Sequence, residues 1–197
     1  MDSTSSDGRL TPESISVKLV VLGPFAVGKT TFVGAVSEIR PASTEEKMTK
    51  AGELVDDLRG LESKDTTTVA MDFGRITLPG DIVLYLFGAP GQPRFARMID
   101  DLMEGALGGV VLVDTARITE SWDAMSRMEE AGLAYVVAVN RFPSSPKFSE
   151  HELRRALDLH HQTPLVDCDV RQRDSAKAPL IALVSHLLSQ TSLEPTS

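Results

Sequence analysis

Residues 17–30, VKLVVLGPFAVGKT, decide the fold, because an apolar strand-like run leads directly into a glycine-rich turn. The turn, Gly23–Thr30, matches the pattern G-x-x-x-x-G-K-[ST] in full. The next segment has helical spacing, with Phe32, Val33 and Val36 on one face. Between a strand and a helix, such a turn wraps phosphates with its backbone N–H groups, and the helix N-terminus adds positive potential. The sequence therefore predicts a loop that binds the phosphates of a nucleotide.

The side chains of this loop have separate predicted roles. Lys29 places a positive charge on the β- and γ-phosphates, and the Thr30 hydroxyl is a ligand for Mg²⁺. Phe25 stands where a small residue is usual, near the end of the γ-phosphate, and its ring would slow hydrolysis by displacing the attacking water. The predicted nucleotide contacts in this stretch are Gly23, Phe25, Ala26, Val27, Gly28, Lys29, Thr30 and Thr31.

Three further apolar runs, at 82–88, 108–114 and 134–140, are rich in Val and Leu and barely alternate with polar residues. Strands that are covered by helices on both faces have this composition. Each run is followed by a turn and a segment with helical spacing, which predicts an α/β sandwich with a mostly parallel sheet. Residues 68–78 precede the run at 82–88 with only the turn 79–81 between them, so this pair is predicted to be an antiparallel hairpin.

One folded domain is predicted at residues 15–190, between flexible polar tails at 1–14 and 191–197. The polar stretch 40–65 is predicted to be a long mobile insertion with a weak helical pattern of leucines. The net charge of −8 and the pI near 5.0 disfavour nucleic acid and anionic membranes as partners. The N-terminus has no signal-peptide pattern, and no apolar run reaches the ~18 residues of a membrane helix. A cytoplasmic protein is therefore predicted, which would reach a membrane only through partners.

The order of the motifs resembles that of a Ras-like small GTPase, and most closely the bacterial MglA-like branch and the conservon GTPases of actinobacteria. The resemblance covers roughly residues 16–190 and rests on GPFAVGKTTF, TTTVAMDFG, LFGAPGQPRF, VAVNRF and VDCDVR. It implies a P-loop NTPase fold, a Ras-like three-layer α/β sandwich with a six-stranded, mostly parallel sheet, one antiparallel strand and about five helices. It also implies that the protein binds GTP and GDP with Mg²⁺ and hydrolyses GTP slowly. The implied partners are a roadblock-type regulator and, through it, a membrane sensor complex.

The same resemblance assigns the two switch segments. Thr68 resembles the switch I threonine, whose hydroxyl completes the Mg²⁺ shell, and Thr67 is the alternative. These threonines also suit the start of a β-strand, which is a third interpretation. Gly91 of GAPGQ resembles the glycine whose N–H binds the γ-phosphate, and Gln92 resembles the glutamine that orients the attacking water. Together with Lys29, Gln92 and Thr68 are the predicted catalytic residues.

The sequence departs from the family at the magnesium site. The aspartate expected in switch II is Gly88. Asp72 is predicted to compensate, because it lies on the same strand face as Thr68 and in the strand next to the run that ends at Gly88. An exposed aspartate on an edge strand is the alternative interpretation. The predicted metal ligands are Thr30, Thr68 and Asp72.

A second departure lies at residues 139–143, VNRFP, which correspond to the guanine-reading motif. Asn140 is predicted to bond the base and brace the phosphate loop, and Arg141 to pack its flat guanidinium over the base. Pro143 replaces the aspartate that accepts from two guanine N–H groups. Because hydrogen bonds to a charged group contribute ~1.5–3 kcal/mol each, this loss would weaken the preference for guanine. A degenerate GTPase that serves as a scaffold and an ATP-using enzyme therefore remain alternatives.

The last base-contacting loop has two candidates, CDVR at 168–171 and SAK at 175–177. The first directly follows a strand-like run and leaves room for a full final helix, so Asp169 and Val170 are predicted to contact the base. Asp169 either supplies the missing carboxylate or bonds its own backbone in a turn. Both interpretations remain open at this stage.

Overall fold

The strands of the computed structural model, which describes residues 14–40, 42–48 and 67–191, form one sheet. In chain order they are β1 (Ile15–Leu22), β2 (Ala42–Met48), β3 (Thr67–Leu78), β4 (Ile82–Gly88), β5 (Gly108–Val113), β6 (Ala134–Asn140) and β7 (Leu165–Cys168). The order across the sheet is β2-β3-β4-β1-β5-β6-β7. Strand β3 is antiparallel to both of its neighbours, and β4, β1, β5, β6 and β7 are parallel to one another.

The helices are α1 (Lys29–Val36), α2 (Ala96–Met103), α3 (Trp122–Glu130), α4 (Glu150–Ala156) and α5 (Arg173–Thr191). Short 3-10 helices lie at Pro93–Phe95 and Thr115–Ser121. The predicted fold class is confirmed, because the six predicted strands are all present and β3 alone of them is antiparallel. In the part of the chain described here, no helix is long and apolar enough to cross a membrane.

Strand β2 is an addition to the predicted sheet. It lies within 40–65, which the sequence analysis treated as a mobile insertion, and that interpretation is wrong for 42–48. The sequence ASTEEKM gives no apolar alternation, because an edge strand can be polar and charged. The rest of the insertion, with its leucine pattern, lies outside the described residues. The tails predicted at 1–14 and 191–197 also lie outside them, apart from Ser14 and Thr191.

Apolar side chains from the sheet form a separate cluster on each face. Along β1, Leu19 and Val21 join a cluster with α1 and α5, in which Phe32 is fully buried. Val20 and Leu22 point to the opposite face and join a cluster with residues of α2 and α3. Burying a side chain the size of Phe32 contributes about 1.5–3 kcal/mol, so these two layers hold the sheet between the helices.

The sheet brings five loops to one edge. The loops that follow β1, β4, β5, β6 and β7 all leave the carboxyl ends of parallel strands, where ligands of open α/β sheets bind. Strand β3 reaches the same edge because a tight turn reverses the chain, with Gly80 at φ 83° and Asp81 at φ 57°. The resulting register places Asp72 directly opposite Gly88 at the end of β4.

Candidate functional site

The phosphate loop is closed around its own lysine. Lys29 Nζ donates to the carbonyl oxygens of Gly23 at 2.8 Å and Pro24 at 2.7 Å, and the side chain is buried. Gly28 caps the start of α1 at φ 105°, and a Cβ on Gly23 would lie 2.6 Å from the Leu112 carbonyl oxygen. The loop therefore needs glycine at both positions. The ammonium group of Lys29 is held at the mouth of the loop, where a phosphate would replace the carbonyl oxygens of Gly23 and Pro24 as its acceptors.

Burial lowers the pKa of Lys29 to about 8, although the nearby Asp72 carboxylate acts in the opposite direction. A buried ammonium with few charged partners is costly, because burial in a low dielectric disfavours the charged form. A bound phosphate would supply the missing negative charge. The electrostatics of the loop therefore favour an anionic ligand.

Asp72 lies beside the phosphate loop and not on the protein surface. Its side chain is buried, and Thr30 Oγ1 donates to Asp72 Oδ2 at 2.6 Å. Because β2 covers β3, Asp72 is in an interior strand, so the alternative of an exposed edge aspartate is wrong. A Cβ on Gly88 would lie 3.0 Å from the Asp72 Cβ. The carboxylate from β3 thus occupies the space that a side chain at the end of β4 would need.

The pair Thr30 and Asp72 fits a magnesium ion that is shared with a nucleotide. Mg²⁺ keeps several waters and takes one or two carboxylates plus substrate phosphates, and this pair offers one hydroxyl and one carboxylate next to a phosphate loop. In the described residues, no group of three or more His, Cys, Asp or Glu could hold a metal by itself. The phosphates would therefore have to complete the coordination.

The structure does not bring Thr68 to this pair. Strand β3 begins at Thr67, as the third interpretation of the threonines proposed, and Thr68 pairs with Lys47 of β2. At ~3.3 Å per strand residue, the Cα of Thr68 lies on the order of 13 Å along the strand from that of Asp72.

The segment after β4 packs against the phosphate loop. A Cβ on Gly91 would lie 2.6 Å from Lys29 Nζ and 2.6 Å from the backbone nitrogen of Phe25, so only glycine fits. Gln92 lines a cavity of about 390 Å³ together with Lys29, Thr31 and Asp72. Gln92 and Gly91 also form one wall of a second cavity of about 440 Å³, which reaches to α2 and α3.

On the other side of the site, Asn140 connects the end of β6 with the phosphate loop and with the loop that follows β7. Its Nδ2 donates to the Val27 carbonyl oxygen at 2.9 Å, and its Oδ1 accepts from the Val170 N–H at 3.3 Å. A Cβ on Gly28 would lie 2.9 Å from Asn140 Nδ2 and 3.0 Å from Val170 Cγ2. The structure therefore places Asn140, Val170 and the phosphate loop in contact, which is the arrangement that the sequence predicted for a base-binding corner.

Both arginines of this corner are tied to carboxylates. Arg141 Nη2 lies 2.6 Å from Asp167 Oδ1, while its buried Nη1 has no partner among the described residues. Asp169 accepts from the Arg171 backbone N–H at 3.0 Å and from its guanidinium at 2.8 and 2.7 Å. Hydrogen bonds from Arg171 lower the pKa of Asp169 to about 2. Asp169 thus adopts the local turn that was the alternative interpretation, and a base would have to compete with Arg171 for its oxygens.

Pro143 is exposed, in a tight turn where the Ser145 N–H donates to the Phe142 carbonyl oxygen at 3.1 Å. The described structure shows no hydrogen bond or ion pair made by this residue. The position that would read guanine in the resembled family therefore carries no side chain that could accept a hydrogen bond.

Sequence reasoning missed the residues that support the phosphate loop from the side of β5. Arg117 donates to the Phe25 carbonyl oxygen from Nη1 at 3.4 Å and Nη2 at 3.3 Å. Asp114, which directly follows β5, accepts from the Ser145 hydroxyl at 2.6 Å. No local pattern predicts these contacts, because the partners are far apart in the chain and only the sheet order brings them together.

The glycine-lined loop, its buried lysine and the Thr30–Asp72 pair, at the carboxyl edge of this sheet, define a P-loop nucleotide-binding domain. The chain belongs to the family described as "conserved hypothetical ATP binding protein", which matches residues 21–190. No curated protein matches the sequence significantly.

Among solved structures, the chain is similar to the cytosolic domain of the FeoB iron transporter of T. maritima in its apo form, with a TM-score of 0.62 and 17% sequence identity. The match covers 92% of this chain and 66% of that chain. This chain therefore spans slightly less than two thirds of the length of that structure. At such low identity, the likeness establishes the fold alone.

Proposed function

We propose that the chain is a guanine-nucleotide-binding switch of the MglA-like or conservon type. It binds GTP and GDP with Mg²⁺, hydrolyses GTP slowly and alters the binding of a protein partner. The observation that carries this proposal is the packing of Gly91 on the phosphate loop. The contact is so close that a Cβ at this position would lie 2.6 Å from both Lys29 Nζ and the Phe25 nitrogen. A segment so close to the end of the phosphate chain would respond to the third phosphate.

The proposed roles follow the contacts of the site. Lys29 binds the β- and γ-phosphates, and Thr30 and Asp72 hold Mg²⁺, which neutralises phosphate charge when bound. The backbone N–H of Gly91 binds the γ-phosphate, and Gln92 orients the attacking water. Thr68 joins the site only when the start of β3 leaves β2, which would make this strand pairing the switch I transition.

A second candidate is a scaffold that holds a nucleotide without turnover. Two observations favour it. The Phe25 ring, beside the position of the γ-phosphate, is 62% exposed and would stand in the path of an attacking water. In addition, Pro143 carries no acceptor for guanine, so the base is held without its usual selection. The family description names ATP, which favours an ATP-dependent protein as a third candidate. Binding of ADP in preference to GDP would favour the alternative that this is an ATP-dependent protein.

The proposed partner is a protein that contacts the switch segments, with a roadblock-type regulator as the candidate from the resemblance. Such a regulator would accelerate the slow hydrolysis of GTP. It would also recruit this cytoplasmic protein to a membrane sensor complex. The exposed Phe25 ring next to Gln92 offers such a partner an apolar contact beside the nucleotide.

The test of the proposal is calorimetric titration of the nucleotide-stripped protein with GDP and then with ADP, both with Mg²⁺. Tight binding of GDP with weak binding of ADP is the expected result. Equal binding of the two would favour the scaffold or the ATP-dependent alternative, and binding of neither would overturn nucleotide-dependent function altogether.

Replacement of Gln92 by leucine is expected to lower the turnover of GTP by about tenfold, because the attacking water loses its orienting group. The dissociation constants for GTP and GDP should stay unchanged, since Gln92 lines the cavity without supporting the loop. Single-turnover hydrolysis and equilibrium binding give the two quantities separately. Gln162→Leu, at an exposed position after α4, is the matched control. An unchanged hydrolysis rate in Gln92→Leu would remove this residue from the reaction.

Nucleotide affinity is expected to fall as the pH rises through about 8, the pKa of Lys29 in the free protein. Bound phosphates favour the charged ammonium and raise its pKa, so affinity is complete below this pH and is lost above it, by at most about tenfold per pH unit. Titration of GDP and ADP at pH 7, 8 and 9 measures the effect. Lys29→Arg, whose guanidinium stays charged, should bind more weakly but without this pH dependence. A flat profile for the unmodified protein would contradict the prediction.

A further inference from the structure

Arg117 lies where a positive charge can act on the phosphate loop from outside. Its two terminal nitrogens donate to the same acceptor, the Phe25 carbonyl oxygen, at 3.4 and 3.3 Å. The residues are far apart in the chain, and the contact joins the 3-10 helix Thr115–Ser121 to the middle of the phosphate loop. We propose that Arg117 is a positioning residue that sets the phosphate loop for a nucleoside triphosphate, an inference that rests on the proposed function.

The guanidinium is held in place by two carboxylates. Arg117 Nε lies 3.4 Å from Asp114 Oδ2, and Nη1 lies 3.2 Å from Glu120 Oε2. The backbone of Arg117 is non-helical, at φ −139° and ψ 46°, which breaks the 3-10 helix at this residue. An arginine that is fixed by two acids and a kinked backbone presents its planar group in one orientation, so little freedom is lost when it holds the loop.

Asp114 extends the same network to the base-binding corner. Its Oδ1 accepts from the Ser145 hydroxyl at 2.6 Å and from the Ala116 N–H at 3.0 Å. Burial alone would raise the pKa of Asp114, but the hydrogen bonds from Ser145, Ala116 and Arg117 outweigh burial and lower it. Asp114 therefore stays ionised and anchors Arg117, and it connects the turn after Asn140 with the middle of the phosphate loop.

Phe25, whose carbonyl oxygen Arg117 binds, packs against Gly91 through its backbone nitrogen. The Phe25 nitrogen would lie 2.6 Å from a Cβ on Gly91, the residue proposed to bind the γ-phosphate. While Arg117 binds the Phe25 carbonyl oxygen, that oxygen cannot turn towards the phosphates, where it would repel them. This effect acts more strongly on a triphosphate than on a diphosphate, because the repulsion grows with the charge of the nucleotide.

The test compares the dissociation constants of a non-hydrolysable triphosphate and of the diphosphate of the same base, with Mg²⁺, for the full chain. Arg117→Ala is expected to weaken triphosphate binding about tenfold more than diphosphate binding, the effect of losing charge-assisted hydrogen bonds to one carbonyl group. Arg117→Lys keeps the charge but loses the paired N–H donors of the guanidinium. Its ratio of triphosphate to diphosphate affinity should lie between those of the unmodified protein and of Arg117→Ala. Arg155→Ala, at an exposed position on α4, should leave both constants unchanged.

The possible results separate this inference from the proposed function. If the unmodified protein binds both nucleotides and Arg117→Ala weakens them equally, Arg117 only stabilises the fold and the assignment is overturned. Unchanged binding in both variants also overturns it. If Arg117→Ala does not fold, the ratio of the two constants in Arg117→Lys decides. An unmodified protein that binds neither nucleotide overturns the proposed function and this assignment with it.

Discussion

Replacement of Asp72 by asparagine is expected to weaken Mg²⁺-dependent nucleotide binding by about a hundredfold, the effect of losing one charged ligand. The change preserves shape, and the Thr30 hydroxyl can still donate to the amide oxygen, so the strand should keep its structure. Without the carboxylate, the ligands left for Mg²⁺ would be the Thr30 hydroxyl, the phosphates and water. Titration of GDP with Mg²⁺ and again with a chelator measures the dependence on the ion, which Asp72→Asn should largely remove.

Asp81→Asn is the matched control for this variant. Asp81 is exposed in the β3–β4 turn at φ 57°, a conformation that asparagine tolerates well, and this turn lies at the opposite end of β4 from Gly88 and the site. It loses the same charge and should bind nucleotide normally. If Asp72→Asn retained the full effect of Mg²⁺, the pairing of Thr30 with Asp72 would be structural, and the ion would have to be held elsewhere.

An exchange of the two facing residues tests the geometry directly. In the double variant Asp72→Gly with Gly88→Asp, the carboxylate would enter the same space from β4, because a Cβ added at Gly88 would lie 3.0 Å from the present Asp72 Cβ. Asp72→Gly alone should lose Mg²⁺ dependence, and the double variant should recover at least part of it. Failure to recover in a folded double variant would mean that the strand of origin matters as well as the position of the charge.

The sequence predicted those features of the site that depend on local patterns. The phosphate loop is local, since a buried strand, the glycines and Lys29 follow one another in the chain. Asn140 was also predicted, because VNRFP resembles the base-reading motif that ends a strand in the GTPase family. The contact of Asn140 with Val27 and Val170 then follows from parallel strands that end at one edge of the sheet.

Features that depend on register and long-range contacts could be predicted only in part. Asp72 was a candidate from its strand face, but its burial and its position opposite Gly88 follow from the exact pairing of β3 with β4. Strand β2 was missed because a polar edge strand has no apolar period. Arg117 gave no signal, since its acceptor is a backbone carbonyl of a distant loop.

Replacement of Pro143 by aspartate is expected to increase the preference for GDP over ADP by about a hundredfold. A carboxylate at this position would accept from two guanine N–H groups, and each such bond contributes ~1.5–3 kcal/mol before the cost of ordering the side chain. Adenine offers no matching pair of donors on that edge, so its affinity should not rise. Pro143 is exposed in a turn, and the change should cost little stability. Calorimetric titration of both diphosphates gives the ratio.

Pro146→Asp places the same charge on the same loop and is the control for a non-specific electrostatic effect, since Pro146 is exposed and contributes only its carbonyl oxygen, to the Thr115 hydroxyl. It should leave the ratio of GDP to ADP affinities unchanged. If Pro143→Asp also left the ratio unchanged, the base would not lie against the turn that follows Asn140. The corner formed by Asn140 and Val170 would then bind the base in another orientation, with the Asp169 and Arg171 pair as the group that could read its edge. An increase confined to Pro143→Asp would show that the corner is built for guanine and lacks only the carboxylate that would strengthen this selection.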